Sequence, residues 1–226
     1  MKERPILMND PMVCATLEDR KTHTRRVVKL PKGYEWTENG YVNVGGSQGD
    51  IIPCPYGKAG DRLWVRENFR LESEFNDVKP SDAEGSKVFY PADLVMIDGE
   101  IINPCDRVFS LAQCRPSIHM PRWASRITLE ITGVRVDRLN EISEQDAIAE
   151  GVHTDDDYPT ESACPRCHGE GTHGDVGKNL GWIEVECGEC KTAKQRFKHL
   201  WESINGAGSW ELNPFVWVVE FKRIQP

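Results

Sequence analysis

The chain has no run of eighteen or more apolar residues, so no segment is long enough to cross a bilayer as a helix. Its opening, Met1-Lys2-Glu3-Arg4-Pro5, has no apolar core of the kind a secretory signal carries, and the expected compartment is the cytoplasm. Positive charge is not in excess: 28 Lys and Arg stand against 36 Asp and Glu over 226 residues, a net charge of −8. Proteins that coat nucleic acid without specificity are basic, and the bulk charge argues against that role. There is no internal repeat and no long low-complexity segment. What remains, 38% hydrophobic and 28% charged residues, is the composition of an ordinary globular chain with room for one sizeable core or one domain plus an appendage.

The charge is unevenly spread. Arg20, Lys21, Arg25, Arg26, Lys29 and Lys32 crowd one stretch, while Asp155, Asp156 and Asp157 gather acid elsewhere. A basic cleft on an acidic body suits a small phosphate-bearing ligand or a brief contact with a strand; the alternative is a solvated charged turn.

Hydrophobic spacing supplies the elements. Asp10 as N-cap with Pro11 after it opens a helix ending near Asp19, with Met12, Ala15 and Leu17 inward. Residues 31–60, rich in Gly, Pro and Asn, read as an irregular loop or short hairpin. Gly60 to Glu67 and Val88 to Tyr90 read as strands, and Ser125 to Leu139 as the clearest one, with a slip at Gly133 that indicates a bulge. Ser143 starts a helix, with Asp146 as its capping partner and Gly151 as its stop. Ala193, Phe197, Leu200, Trp201 and Ile204 form the apolar stripe of a helix over 191–205, and Phe215 to Ile224 is a closing strand. Strands far apart in sequence with helices at few points predict an α+β fold, a small closed or nearly closed barrel.

Four of the eight cysteines form two knuckles, Cys164-Pro165-Arg166-Cys167 and Cys187-Gly188-Glu189-Cys190, nineteen residues apart. Two residues between cysteines let both thiolates grip one ion, and two such turns complete a tetrahedron, so the pattern predicts a zinc ion. Trp182 to Val185 is long enough for a strand returning to the second knuckle. Four thiolates close the coordination shell, which makes this zinc structural and leaves His168 and His173 as bystanders. Cys14, Cys54, Cys105 and Cys114 are scattered.

Arg20-Lys21-Thr22-His23-Thr24-Arg25-Arg26 resembles the N-terminal motif of the ASCH family, whose members share the PUA-like fold. Gly60 to Val65 resembles that family's next signature, Ser143 to Gly151 its helix, and Val218 to Lys222 its closing strand. The matches occur in the family's order. Stretches like Arg115 to Arg126 occur in longer phage and prophage members. The resemblance implies a PUA-like barrel flanked by helices over 1–152 and 191–226, with 153–190 inserted as a zinc knuckle. Compact members hydrolyse N(4)-acetylcytidine with a lysine, a threonine and a glutamate, which fall by motif on Lys21, Thr24 and Glu150. A threonine hydroxyl is a weak nucleophile needing a base; a lysine whose pKa is lowered by burial or neighbouring cations can serve, and a carboxylate can shuttle a proton to the leaving amine. Taken without the resemblance, Lys21 is a surface lysine, Thr24 a strand residue and Glu150 a helix-end carboxylate.

Around such a cleft Arg20, Arg25, Arg26, Arg66, His119, Arg122 and Trp123 are the candidate ligand contacts. The last three place a histidine, a cation and a large aromatic in a Pro-bounded loop, able to stack on a base and hold a phosphate; the alternative makes Trp123 a core plug and pairs Arg122 with an acid. Three functions compete: hydrolysis on a modified nucleoside or RNA, binding of RNA or modified DNA without turnover, and docking of a host or phage protein through the acidic inserts. The expected partner of the first two is a nucleoside or single-stranded nucleic acid.

Overall fold

The computed structural model describes residues 1–30, 32, 34–37, 40–43, 52–93, 95–97, 100–102, 112–152, 172–177, 181–188 and 190–224. In chain order the elements are β1 (Glu3–Leu7), α1 (Asp10–Leu17), β2 (His23–Val27), β3 (Tyr34–Thr37), β4 (Gly40–Asn43), β5 (Arg62–Arg66), β6 (Arg70–Leu71), β7 (Val88–Phe89), β8 (Val95–Ile97), β9 (Glu100–Ile102), β10 (Thr128–Arg138), α2 (Glu144–Ala149), β11 (Thr172–Gly177), β12 (Gly181–Glu186), α3 (Ala193–Asn205) and β13 (Phe215–Ile224). The fold is α+β: the described residues form one five-stranded sheet, a few helices and four two-stranded sheets. None of its helices is long and apolar enough to cross a membrane, among the described residues.

The sheet runs β1-β5-β10-β13-β2, parallel only between β1 and β5, and open, with β1 and β2 at its edges. Alternation along β13 feeds two cores. Trp217, Val219 and Phe221 join Leu63 and Val65 of β5 and Leu129 and Ile131 of β10 on one face, closed by Val13 of α1. Val216 and Val218 face the other way, onto Ala147 of α2 and Phe197 and Trp201 of α3. A strand buried on both sides reads as a continuous apolar run, which is why Phe215 to Phe221 shows little polar alternation. The slip at Gly133 is the expected bulge: the register against β13 shifts between Ile131 and Gly133, where a Cβ would lie 2.7 Å from the Glu220 carboxylate.

Two caps differ from expectation. Asn9, not Asp10, caps α1 by accepting from Met12 N–H at 3.1 Å, and Asp10 in the first turn accepts from Asn68 Nδ2 instead. The fully buried side of α1 is Val13, Ala15 and Thr16, with Met12 and Leu17 half-buried at its margin. Ser143 Oγ caps α2 by accepting from Asp146 N–H, but the Asp146 carboxylate turns to two arginines rather than back to the cap. Gly151 ends that region with φ +90°, and a Cβ there would lie 2.8 Å from Ala15 and 3.1 Å from Lys21 Cβ. Only glycine lets the end of α2 press this closely on the turn after α1. The cap of α3 is a complete capping box, Thr192 with Gln195.

Candidate functional site

Three chain segments bring charge together beneath the surface. Backbone bonds fix them: Lys21 N–H donates to Ala15 O at 2.9 Å, Thr22 N–H to Ala149 O at 2.8 Å, and Phe221 N–H to Thr22 O at 2.8 Å. The start of β2 is therefore clamped between α1, α2 and β13. There Lys21 Nζ donates to Glu150 Oε2 at 2.9 Å and to Glu150 O at 2.7 Å, although the residues are 129 apart in sequence. The Lys21 side chain is 0% exposed and that of Glu150 2%. Arg25 donates through NH1 to Glu150 Oε1 at 3.1 Å and through NH2 to Asp146 Oδ2 at 2.6 Å.

From Asp146 the alternation of charge continues outward. Arg135 donates to Asp146 at 2.8 Å and to Glu220, and Glu220 lies 3.8 Å from His23 Nε2. At the outer end Thr22 Oγ1 and His23 Nδ1 share a hydrogen bond of 2.9 Å. Six charged side chains thus form one chain of opposite signs, from Lys21 inside to Glu220 at the rim. An unpaired buried charge costs several kcal/mol, so Lys21, Glu150 and Arg25, the buried members, depend on their neighbours, while Asp146, Arg135 and Glu220 are partly open to water.

Burial sets the Lys21 pKa below that of an ordinary lysine; the Glu150 carboxylate pushes it back up, and Arg26 and Arg25 add to the lowering. The expected depression by the neighbouring arginines is present, with desolvation as the larger cause. Burial likewise lowers His23, against the pull of Glu220 and Asp146, which keeps the imidazole neutral at pH 7.

Thr24 does not join this cluster. It lies opposite Val219 in the sheet, and Arg25 opposite Val218, so the hydroxyl sits on the face of the main core and the guanidinium on the face of α2 and α3. Thr24 is buried, and among the described residues no hydrogen bond joins it to Lys21 or Glu150.

A cavity of about 230 Å³ follows the edge strand β2. Arg25, Arg26, Lys29, Glu150, Phe197 and Trp201 are among its lining residues, with Tyr56 beside them. Arg25 lies 5.9 Å from the Phe197 ring centroid. Lys21 sits behind Glu150 and does not reach the lining.

The other candidates lie elsewhere. Arg20 is a strap, bonded to Gly151 O at 2.9 Å and Glu18 at 2.6 Å. Arg66 lies 4.7 Å over the Trp64 ring and donates to Ile118 O. Arg122 forms a fork with Glu3, at 2.9 and 3.1 Å. Trp123 is the core plug of the alternative reading: its indole donates to Pro80 O at 3.2 Å, and its ring packs on the small core of Phe69, Leu71 and Met120. His119 lines a second cavity of about 450 Å³ beside Cys114 and Arg115. Sequence reasoning missed Tyr56 as a cavity wall and Asp146, Arg135 and Glu220 as links in the charge chain. Phe197 and Trp201 were legible only as core residues of the α3 stripe, because a periodicity shows which face is apolar and not what lies beside it.

Of the four metal-ligand candidates, Cys164 and Cys167 lie outside the described residues, as does His168. Cys187 and Cys190 are buried just before α3. The first turn of α3 holds their knuckle: Gln195 Nε2 donates to Gly188 O at 2.9 Å and Arg196 Nε to Cys190 O at 2.8 Å. Two thiols presented from a fixed turn are a fitting half of a tetrahedral thiolate set. Among the described residues no group of three or more metal-binding side chains occurs. Comparison of the chain with protein-family profiles, curated proteins and solved structures finds no match in any of the three.

Proposed function

We propose that this is a nucleoside- or nucleic-acid-directed protein of the ASCH type, whose site is the cavity along β2 and the charge cluster behind it. The observation that carries this reading is the contact of Lys21 with Glu150 at 2.9 Å, two residues that only the family resemblance had paired. The PUA-like barrel belongs to the same proposal. Arg26 of one sheet edge donates to Leu7 O of the other at 2.6 Å, and α1 spans the two, as a nearly closed barrel requires.

In the hydrolytic form of this reading a pyrimidine base enters against Phe197 and Trp201. Lys21 takes the proton of the attacking Thr24 hydroxyl, Glu150 positions the amine and hands a proton to the leaving cytosine amine, and water then releases the acetyl group from Thr24 as acetate. This form needs Lys21, behind Glu150, and Thr24, on the other face of β2, to reach the cavity. The second form is binding of RNA or modified DNA without turnover. Thr24 favours it, because the hydroxyl and the Lys21–Glu150 pair belong to different environments. Incubation with N(4)-acetylcytidine separates the two. Hydrolysis predicts acetate release that falls more than about a hundredfold in Lys21→Ala and in Thr24→Ala, the range expected for a general base or nucleophile. Binding without acetate release establishes the second form, and full activity in both variants removes the catalytic assignment.

Cys164, Cys167, Cys187 and Cys190 are proposed to hold a structural zinc, which would fix 153–190 to the start of α3. Native mass spectrometry should find one zinc per chain, lost in Cys187→Ser; a metal-free wild type would overturn the assignment.

A further inference from the structure

The cavity along β2 carries two donors that the fold leaves unused. Arg25 and Trp201 are 4% and 5% exposed, and among the described residues neither Arg25 Nε nor Trp201 Nε1 has a hydrogen-bond partner. Both side chains line the cavity. A buried donor without an acceptor costs about 1–3 kcal/mol, and of the eight unmet buried side-chain atoms among the described residues these two are the ones whose side chains line this cavity. Two bordering one cavity are explained if a ligand supplies the acceptors.

The charges at the same place specify the ligand further. Arg25, Arg26 and Lys29 line the cavity against a single carboxylate, Glu150, whose oxygens are already held by Lys21 and Arg25. Arg26 donates to Leu7 O, and among the described residues its guanidinium makes no other hydrogen bond. Lys29, exposed and in the lining, makes no ion pair among the described residues. On a chain of net charge −8 this is a local reversal of sign, and such a site draws in an anion. Aromatic faces from Tyr56, Phe197 and Trp201 fit the flat remainder of the ligand. The volume, about 230 Å³, is below the roughly 300 Å³ where sites for drug-sized molecules begin, and so admits one base rather than a stack.

We infer that the cavity takes a pyrimidine nucleoside monophosphate, or the equivalent single residue of a strand. The base carbonyl meets Arg25 Nε and Trp201 Nε1, and the phosphate meets Arg26 and Lys29. This rests on the nucleoside-directed reading above and adds that a phosphate is part of what the site recognises.

Calorimetric titration of the full chain with cytidine, cytidine 5′-monophosphate and inorganic phosphate tests it. The monophosphate should bind at least tenfold more tightly than cytidine at low salt, with the gap closing as salt rises. In Lys29→Gln, an exposed position where the fold is not at stake, the ratio of the two affinities should fall about threefold. Trp201→Phe, which keeps the ring and deletes the donor, should weaken both ligands. Equal affinities for cytidine and its monophosphate would overturn the phosphate inference and leave the nucleoside reading standing. If neither nucleoside nor nucleotide binds, both are overturned. If inorganic phosphate binds as tightly as the monophosphate, the site is for a bare anion and the base contacts are refuted.

Discussion

Two arginine–carboxylate clusters, each with a buried glutamate, stand beside different strands of the sheet, and they differ in completeness. At the end of β5, Arg126 grips both oxygens of Glu67 at 3.0 Å, donates to Asp93 at 2.6 Å, and stacks 3.9 Å over the Tyr90 ring. Every nitrogen of that guanidinium has a partner, and the cluster lines neither cavity. Beside β2, Arg25 reaches Glu150 and Asp146 with two nitrogens and leaves the third unmet, at the wall of a cavity. The same residue types make a closed lock in one place and an open set in the other. A closed cluster is explained by the fold alone; the open one borders the cavity where we infer a ligand.

The largest effect should come from the closed cluster. Arg126→Ala leaves the Glu67 carboxylate, 1% exposed, without a counter-charge. Breaking a buried pair in this way costs about 3–5 kcal/mol, which urea unfolding would read directly. Burial already raises the Glu67 pKa, with Arg126 opposing it, so the carboxyl in the variant should titrate higher still. Because this cluster serves the fold, nucleotide binding by the folded fraction should persist. A loss of binding without a loss of stability would break the distinction between the two clusters.

Glu150→Gln probes the open cluster. It leaves desolvation of Lys21 unopposed by the carboxylate, so the amine, already below 10.5, should fall further. Nitrogen-15 NMR of the Lys21 amine reads that shift whether or not the protein turns anything over. If the protein hydrolyses N(4)-acetylcytidine, the alkaline-rising limb of its pH–rate profile should move to lower pH in the same variant. An upward shift would mean that Glu150 does not stabilise the ammonium, and the pairing would lose its meaning.

His23 gives a smaller, signed effect. Its folded pKa lies below 6.5, so between the two values the unfolded chain binds more protons and stability rises with pH, levelling off above the unfolded value. His23→Gln should flatten the curve between the folded value and 6.5, with a change below about 1.4 kcal/mol for each unit of the pKa difference.

The contrast between the clusters also marks how far the sequence could be read. Alternation located β10 and β13, the Phe197–Trp201 stripe located α3, and Gly133 announced its bulge, because each is a property of neighbours along the chain. The order of strands in the sheet is set by contacts between segments far apart and has no local trace. Only the motif resemblance pairs Lys21 with Glu150, and the spacing of Asp146 from Ser143 fits a capping partner, whereas its carboxylate answers Arg25 and Arg135. The sequence leaves Trp123 open between a stacking platform and a core plug, because a proline-bounded loop carries no period to show that the ring is turned inward.

The smallest effect should be at Arg122, for which the sequence offers either a ligand or an acid as partner. Its fork with Glu3 is well formed, but both side chains are more than a third exposed, at 44% and 38%. Water screens such a pair, and exposed pairs contribute about 0.2–1 kcal/mol. Arg122 also lies 5.9 Å from the Trp64 ring, a contact Arg66 makes more closely at 4.7 Å, so the ring stays covered without it. Arg122→Ala should therefore lower the unfolding free energy by less than about 1 kcal/mol. Cytidine 5′-monophosphate affinity should stay within about twofold, since the residue lines neither cavity. A tenfold loss of affinity in this variant would mean that the ligand extends across the outer face of β1 and β5, and the cavity along β2 would then hold only one end of it.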